Sequence, residues 1–72
     1  MLENRIHEVR RKKRLTQWSV ALETRILQPR LSLIENGYVE QRPEEKKAIA
    51  KALDVDLEEL FPRKNHELNR EF

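Results

Sequence analysis

The stretch "LTQWSVALETRILQPRLSLIENG", residues 15–37, decides the fold, because it holds two short helical patterns separated by a tight turn. The first pattern predicts a helix over about residues 17–24, since Thr16 is a favourable N-cap and a short apolar stripe follows it. A sharp turn is predicted over residues 25–27, where this stripe ends. The sequence therefore predicts two short helices joined by a three-residue turn.

The second helix of the pair is predicted over about residues 28–36. Pro29 falls in its first turn, where the missing N–H costs no intrahelical hydrogen bond. Gly37 ends the helix, because glycine readily adopts the left-handed conformation that follows a helical C-terminus. The predicted buried residues are Leu31 and Ile34. Leu33 faces away from this apolar stripe, so we expect it to be exposed.

Three further helices are predicted around this pair. They cover about residues 3–13, Pro43 to about Leu53, and a short segment that holds Leu57, Leu60 and Phe61. Asp56 and Glu59 have the spacing of a capping box at the start of the last segment. One glycine and three prolines supply little of the turn chemistry that sheet hairpins need. We therefore expect an all-α domain of five helices over residues 1–62, followed by a polar tail over residues 63–72.

Charge is distributed unevenly along the chain, although the net charge is only +2. Residues 1–42 carry nine Lys or Arg and five Asp or Glu, a net +4, whereas residues 43–72 carry a net −2. The run "RRKKR", residues 10–14, is the densest basic cluster. Such a run marks either a phosphate-binding surface or a solvated helix end. The basic half is therefore the candidate binding face.

Composition argues against several other classes of protein. The 72 residues include no cysteine, which excludes a disulfide framework and a thiolate zinc site. No apolar run approaches the roughly 20 residues that span a bilayer, and no signal peptide is recognisable, so we expect a cytoplasmic protein without a membrane segment. His7 and His66 are isolated, and no nucleophile and base pair is visible. We expect no enzymatic activity, no metal and no cofactor.

Two segments carry a family resemblance. "RIHEVRRKKRLTQWSVALETRILQPRLSLIENG" and "RPEEKKAIAKALDVDLEELF" resemble the Cro/CI-type (Xre) helix-turn-helix family of phage repressors and small bacterial regulators. The matching elements are "LTQ" at the start of the second helix, "QPRLSLIENG" in the third, and "IAKALDVDLEELF" at the end. The resemblance covers residues 4–62 and needs no gap between Leu15 and Gly37. It implies a five-helix domain that binds double-stranded DNA.

The chain departs from the family pattern at five positions of its helix ends and core. Three of them usually hold glycine, and here they are Arg14, Arg25 and Asp54. Leu27 replaces the usual serine N-cap of the third helix, and such a loss typically costs about 1 kcal/mol. Lys46 stands where leucine is common, so its stem is expected to cover apolar surface.

The resemblance places the third helix in the major groove with its N-terminal residues against base edges. The outward-facing residues there are Gln28, Pro29, Arg30 and Leu33. Gln28 suits a bidentate contact to adenine, and Leu33 suits a thymine methyl group or is a plain surface leucine. Arg30 suits guanine or, slightly better, a phosphate. Pro29 adds only shape and apolar contact.

Phosphate contacts are expected from the N-terminus of the second helix, where free N–H groups and the helix dipole favour an anion. The predicted phosphate-contacting residues are Arg10, Thr16, Gln17, Asn36 and Arg42. Thr16 caps this helix, and Gln17 donates from its side chain. The resemblance also implies an ion pair between Arg10 and Glu35, which either orients Arg10 toward the DNA backbone or serves only as an internal salt bridge.

Trp18 and Leu22 lie one turn apart where the family usually has polar residues. They are either isolated surface residues or a patch that docks a protein partner or DNA sugar. The function expected overall is a sequence-specific transcriptional regulator, a repressor that binds a palindromic operator as a homodimer. Leu57 and Phe61 are the candidate dimer contacts. The alternative is a partner-binding protein of the same fold, such as an antitoxin, in which DNA binding is autoregulatory.

Overall fold

The computed structural model of the chain describes residues 3–61. Its helices are α1 (Ile6–Lys12), α2 (Gln17–Thr24), α3 (Gln28–Glu35), α4 (Pro43–Leu53) and α5 (Leu57–Leu60). These described residues form five helices and no strand, so the expected all-α fold is confirmed. Residues 1–2 and 62–72, which include the predicted tail, lie outside the described range.

The start of α1 differs from the sequence prediction, which placed it near residue 3. The side chain of Asn4 accepts a hydrogen bond from the Ile6 N–H at 3.0 Å and donates one to the Ile34 carbonyl at 2.9 Å. The Arg5 N–H donates to the Leu60 carbonyl at 2.8 Å. These contacts compete with helical hydrogen bonds, because a short polar side chain offers the backbone another partner. The first helical residue is therefore Ile6.

The pair α2 and α3 has the predicted bounds to within one residue. Thr16 caps α2 as expected, since its hydroxyl accepts a hydrogen bond from the Ser19 N–H at 3.0 Å. Leu27 precedes α3 and offers no side-chain hydrogen bond to its N-terminus. Gly37 has a φ of 78° just beyond α3, which confirms its predicted left-handed turn.

All three positions that carry a side chain where the family has glycine adopt the left-handed region. Arg14 has a φ of 59°, Arg25 of 64° and Asp54 of 59°. The chain thus makes the same turns as a glycine would, at a conformational cost that glycine does not carry. The turns are retained because the helices on both sides of each one are packed on the core.

The core lies around α4, which packs against α1, α2 and α5. Two residues of α4, Ile49 and Leu53, are fully buried in this core. The other buried apolar residues are Ile6, Val9, Val20, Ala21, Ile26, Leu31, Ile34, Ala50 and Leu60. Lys46 places its ammonium 5.5 Å from the centre of the Phe61 ring, as expected for a lysine that lies over apolar surface. Within residues 3–61, no helix has the length and apolar character needed to cross a membrane.

Candidate nucleic-acid interface

The N-terminus of α3 lies beside the N-terminus of α2 and brings two predicted site residues into contact. The Gln28 side-chain amide Nε2 donates a hydrogen bond to Gln17 Oε1 at 3.3 Å. Pro29 is exposed one residue later. Leu33 is 43 % exposed, which confirms that it faces away from the core. The outer surface of α3 therefore carries the Gln28 amide, a proline and a leucine, and the Gln17 amide of α2 lies beside it.

Arg30 is on the same helix, but its guanidinium is directed at α4. Its Nε donates to Glu45 Oε2 at 2.7 Å, and its Nη2 donates to Glu45 Oε1 at 2.9 Å. Glu45 also accepts a hydrogen bond from the Arg42 N–H at 2.7 Å. The Arg30 guanidinium, more than any other group, lowers the pKa of Glu45 from 4.5 to about 2. The carboxylate is therefore ionised at neutral pH and tied to both arginines.

Arg10 forms the predicted ion pair with Glu35 between α1 and α3. Its Nε lies 3.0 Å from Glu35 Oε2, and its Nη2 lies 3.2 Å from Glu35 Oε1. Its Nη1 donates to the Leu15 carbonyl at 2.9 Å. The Arg10 side chain is only 12 % exposed, and that of Glu35 is 3 % exposed. The pair therefore ties the C-terminal turn of α3 to α1.

A shallow groove beside the N-terminus of α2 collects part of the basic run at residues 10–14. Its lining residues are His7, Arg10, Arg11, Arg14, Leu15, Thr16 and Gln17. The first N–H groups of α2 point out of the helix without an intrahelical acceptor, apart from the one that Thr16 caps. Arginine side chains and these N–H groups together favour an anion in the groove.

The remaining predicted phosphate contacts lie at the ends of two helices. Asn36 is exposed, and its side-chain amide donates back to the Ser32 carbonyl at 2.9 Å. Arg42 is exposed at the N-cap of α4 and lines a second groove together with Arg30 and Arg25. Arg42 therefore keeps its side chain at the surface, whereas the Asn36 amide is turned onto α3.

The four candidate partner or dimer residues are not grouped on one helix. Trp18 is 59 % exposed and Leu22 is 60 % exposed, one turn apart on α2. Leu57 is 38 % exposed on α5, and Phe61 is half-buried at its end. The predicted exposure of Trp18 and Leu22 is thus confirmed.

Sequence reasoning did not single out Glu45. The available signal was its position three residues after Arg42, because an acidic residue at the third position of a helix often bonds back to the N-cap N–H. Its second partner, Arg30, is fifteen residues away and on another helix, so no local pattern indicates it.

A protein-family model described as helix-turn-helix matches residues 6–60, which is most of the chain. No curated protein sequence matches the chain significantly. The matched range contains the five helices of residues 3–61 and the turn that the sequence predicts between α2 and α3. The chain therefore belongs to the Xre, or Cro/CI-type, helix-turn-helix family of DNA-binding regulators.

Proposed function

We propose that the protein is a transcriptional repressor that binds a palindromic operator as a homodimer, with α3 in the major groove. The observation that carries this proposal is the contact between Gln28 and Gln17. It fixes an amide at the N-terminus of α3, which is where helix-turn-helix proteins contact base edges.

The chemistry of Gln28 suits adenine. One N–H of its amide is used by Gln17, which leaves a second N–H to donate to adenine N7 and Oε1 to accept from the adenine amino group. The Gln17 amide nitrogen is then available to a phosphate. Leu33, further along the exposed face, fits a thymine methyl group, and Pro29 shapes the surface between them.

The phosphate contacts in this proposal come from the groove beside α2 and from the loop before α4. Thr16 and Gln17 stand at the N-terminus of α2, and Arg11 and Arg14 supply positive charge next to it. Arg42 lines a groove with Leu27 and Arg30 near the start of α3, and Asn36 lies at the C-cap of α3. Arg10 acts mainly through its pair with Glu35, because its guanidinium is almost completely occupied and buried.

We propose a dimer because a single α3 helix distinguishes too weakly between DNA sequences. One short helix reads about four bases, whereas two symmetric copies read two half-sites about 10 base pairs apart. We place the dimer contact at Leu57 and Phe61, which lie at the two ends of α5 and are exposed and half-buried, respectively. A regulator of this kind acts in the bacterial cytoplasm, where the operator lies.

The test is selection of bound duplexes from a random DNA pool at about 0.15 M salt. The wild type is expected to enrich a palindromic consensus. Gln28→Ala is expected to lose about 1 to 3 kcal/mol of discrimination at one position of each half-site. The matched control is Arg42→Ala, which removes an exposed cation and should weaken binding to all sequences alike. Equal losses on specific and random DNA for both variants contradict the proposal.

A partner-binding role is the second candidate, and the exposed pair Trp18 and Leu22 favours it. In that case the same fold neutralises a partner protein, as an antitoxin does, and represses its own gene. Trp18→Ala should then reduce partner binding and leave the selected DNA consensus intact. If Trp18→Ala leaves partner binding, DNA binding and self-association all unchanged, the pair has no such role.

A further inference from the structure

The pair formed by Arg30 and Glu45 joins α3 to α4. Neither residue takes part in the base contacts proposed above. The carboxylate accepts from Nε and Nη2 of the guanidinium at 2.7 and 2.9 Å, so it occupies one complete edge of that group. A bidentate contact to guanine or phosphate needs two adjacent guanidinium donors. In this structure Glu45 takes the Nε and Nη2 edge of Arg30, which leaves the edge formed by Nη1 and the second Nη2 N–H to any other acceptor.

Glu45 is the fixed member of the pair. Its side chain is 10 % exposed, compared with 33 % for Arg30. It lies in the first turn of α4, where the helix dipole favours a negative charge, and it accepts the Arg42 N–H at 2.7 Å. The carboxylate is therefore held in place from the α4 side, and it sets the direction in which Arg30 points.

We propose that Glu45 is a positioning residue for DNA recognition, which holds Arg30 against α4 and away from the DNA. A free arginine on α3 would add a phosphate contact, and such contacts bind any sequence. With Arg30 held back, α3 presents Gln28 and Leu33 to the bases, and discrimination depends on these two residues. This inference rests on the proposed function, because it assumes that α3 faces DNA.

The first measurement is the salt dependence of binding to a random-sequence duplex, followed by fluorescence anisotropy between 50 and 200 mM NaCl. Glu45→Gln releases Arg30, and the slope of log affinity against log salt should steepen by about 0.9, the value for one added phosphate contact. The affinity advantage of the variant should therefore grow about 3.5-fold as the salt is lowered over this range. Its preference for the selected consensus over random DNA should fall.

Glu8→Gln is the matched control. Glu8 is also paired with an arginine through two hydrogen bonds, at 3.1 Å each, but its partner Arg5 lies at the N-cap of α1. The substitution makes the same change in net charge without releasing a cation on α3. Its slope is expected to equal that of the wild type. A slope that steepens equally in both variants means a general charge effect and overturns the inference.

A second variant, Arg30→Met combined with Glu45→Met, removes both charges without leaving a buried carboxylate unpaired. Because Arg30 does not contact DNA in the inferred complex, this double variant should keep the wild-type slope and the wild-type consensus. If it loses about 0.9 of the slope, or loses preference at one base position, Arg30 contacts DNA and the inference is wrong. If circular dichroism shows that Glu45→Gln does not fold at the assay temperature, the slope and the consensus of the double variant alone test the inference.

The two proposals fail differently. If the wild type enriches no consensus, the proposed function fails, while the slopes on random DNA still test whether Glu45 withholds Arg30. If the wild type enriches a consensus and the slope of Glu45→Gln is unchanged, only the inference about Glu45 fails.

Discussion

Arg25 ends α2 in the left-handed region, with a φ of 64°. Its N–H donates to the Ala21 carbonyl at 2.8 Å, so the turn satisfies one of the last carbonyls of the helix. A residue with a Cβ pays about 1 to 2 kcal/mol for this conformation, whereas glycine does not. The three-residue turn that orients α3 is therefore formed at a local conformational cost.

Arg25→Gly is expected to raise the free energy of unfolding by about 0.5 to 1 kcal/mol, because relief of the left-handed strain exceeds the added entropy of the unfolded chain. Urea unfolding followed by circular dichroism measures it. Asp54→Gly, at a φ of 59°, is the comparison and should gain less, since aspartate tolerates this region better than arginine. A destabilised Arg25→Gly variant contradicts the strain argument.

At the scale of the elements, α3 is a short helix held at both ends by ion pairs. Glu35 in its last turn pairs with Arg10 of α1, and Arg30 in its first turn pairs with Glu45 of α4. Its own N-terminus has no side-chain cap, because Leu27 is apolar and 77 % exposed. The position of α3 therefore depends on its neighbours more than on its own sequence.

Leu27→Ser is expected to stabilise the protein by about 1 kcal/mol, because the backbone there is extended, with a ψ of 139°, and a serine hydroxyl can accept a free N–H of α3. Thermal unfolding gives the change. Leu27→Ala removes the same exposed side chain without adding a cap and should have little effect. Equal stabilities of the serine and alanine variants would show that α3 gains nothing from a cap.

The ion pair between α3 and α4 gives the stability a defined pH dependence. The pKa of Glu45 falls from 4.5 to about 2 because of its contact with Arg30, so the stabilisation is complete above about 4.5 and is lost as the pH falls through about 2. We expect about 2 kcal/mol at neutral pH, after allowance for the partial exposure of Arg30. The measurement is the difference in unfolding free energy between the wild type and Glu45→Gln. A difference that does not shrink between pH 5 and pH 2 contradicts this assignment.

At the scale of the whole molecule, α4 is the centre of the packing. A domain of this size has a small free energy of unfolding. A chain of 72 residues is expected to have a free energy of unfolding on the order of 5 kcal/mol. Contacts from α1, α2 and α5 meet on α4, and α3 packs against α2, so α3 is joined to the rest of the fold largely through α2.

Ile49→Ala should therefore cost about 2 to 5 kcal/mol, because Ile49 is fully buried on α4 and its removal leaves a cavity. Urea unfolding followed by circular dichroism should show the lower unfolding midpoint. Lys47→Ala, on the exposed side of the same helix, should change the stability by less than about 0.5 kcal/mol. A small loss for Ile49→Ala would mean that the helices repack around the gap.

Local sequence patterns were sufficient for most of the secondary structure. Thr16 and Gly37 mark where α2 begins and where α3 has ended, because capping and left-handed turns depend on a few neighbouring residues. The apolar stripes likewise identified the buried faces, and the resemblance to the family supplied the pair of Arg10 with Glu35.

Tertiary structure alone decided three further contacts between distant segments of the chain. Asn4 delays the start of α1 by bonding to the Ile34 carbonyl, Gln17 meets Gln28, and Glu45 takes the guanidinium of Arg30. The sequence by itself determined where the helices lie and which of their faces are apolar, since these follow from periodicity and backbone chemistry. The angles and distances between helices come from packing around α4, and they determine which polar side chains meet and which are left for DNA.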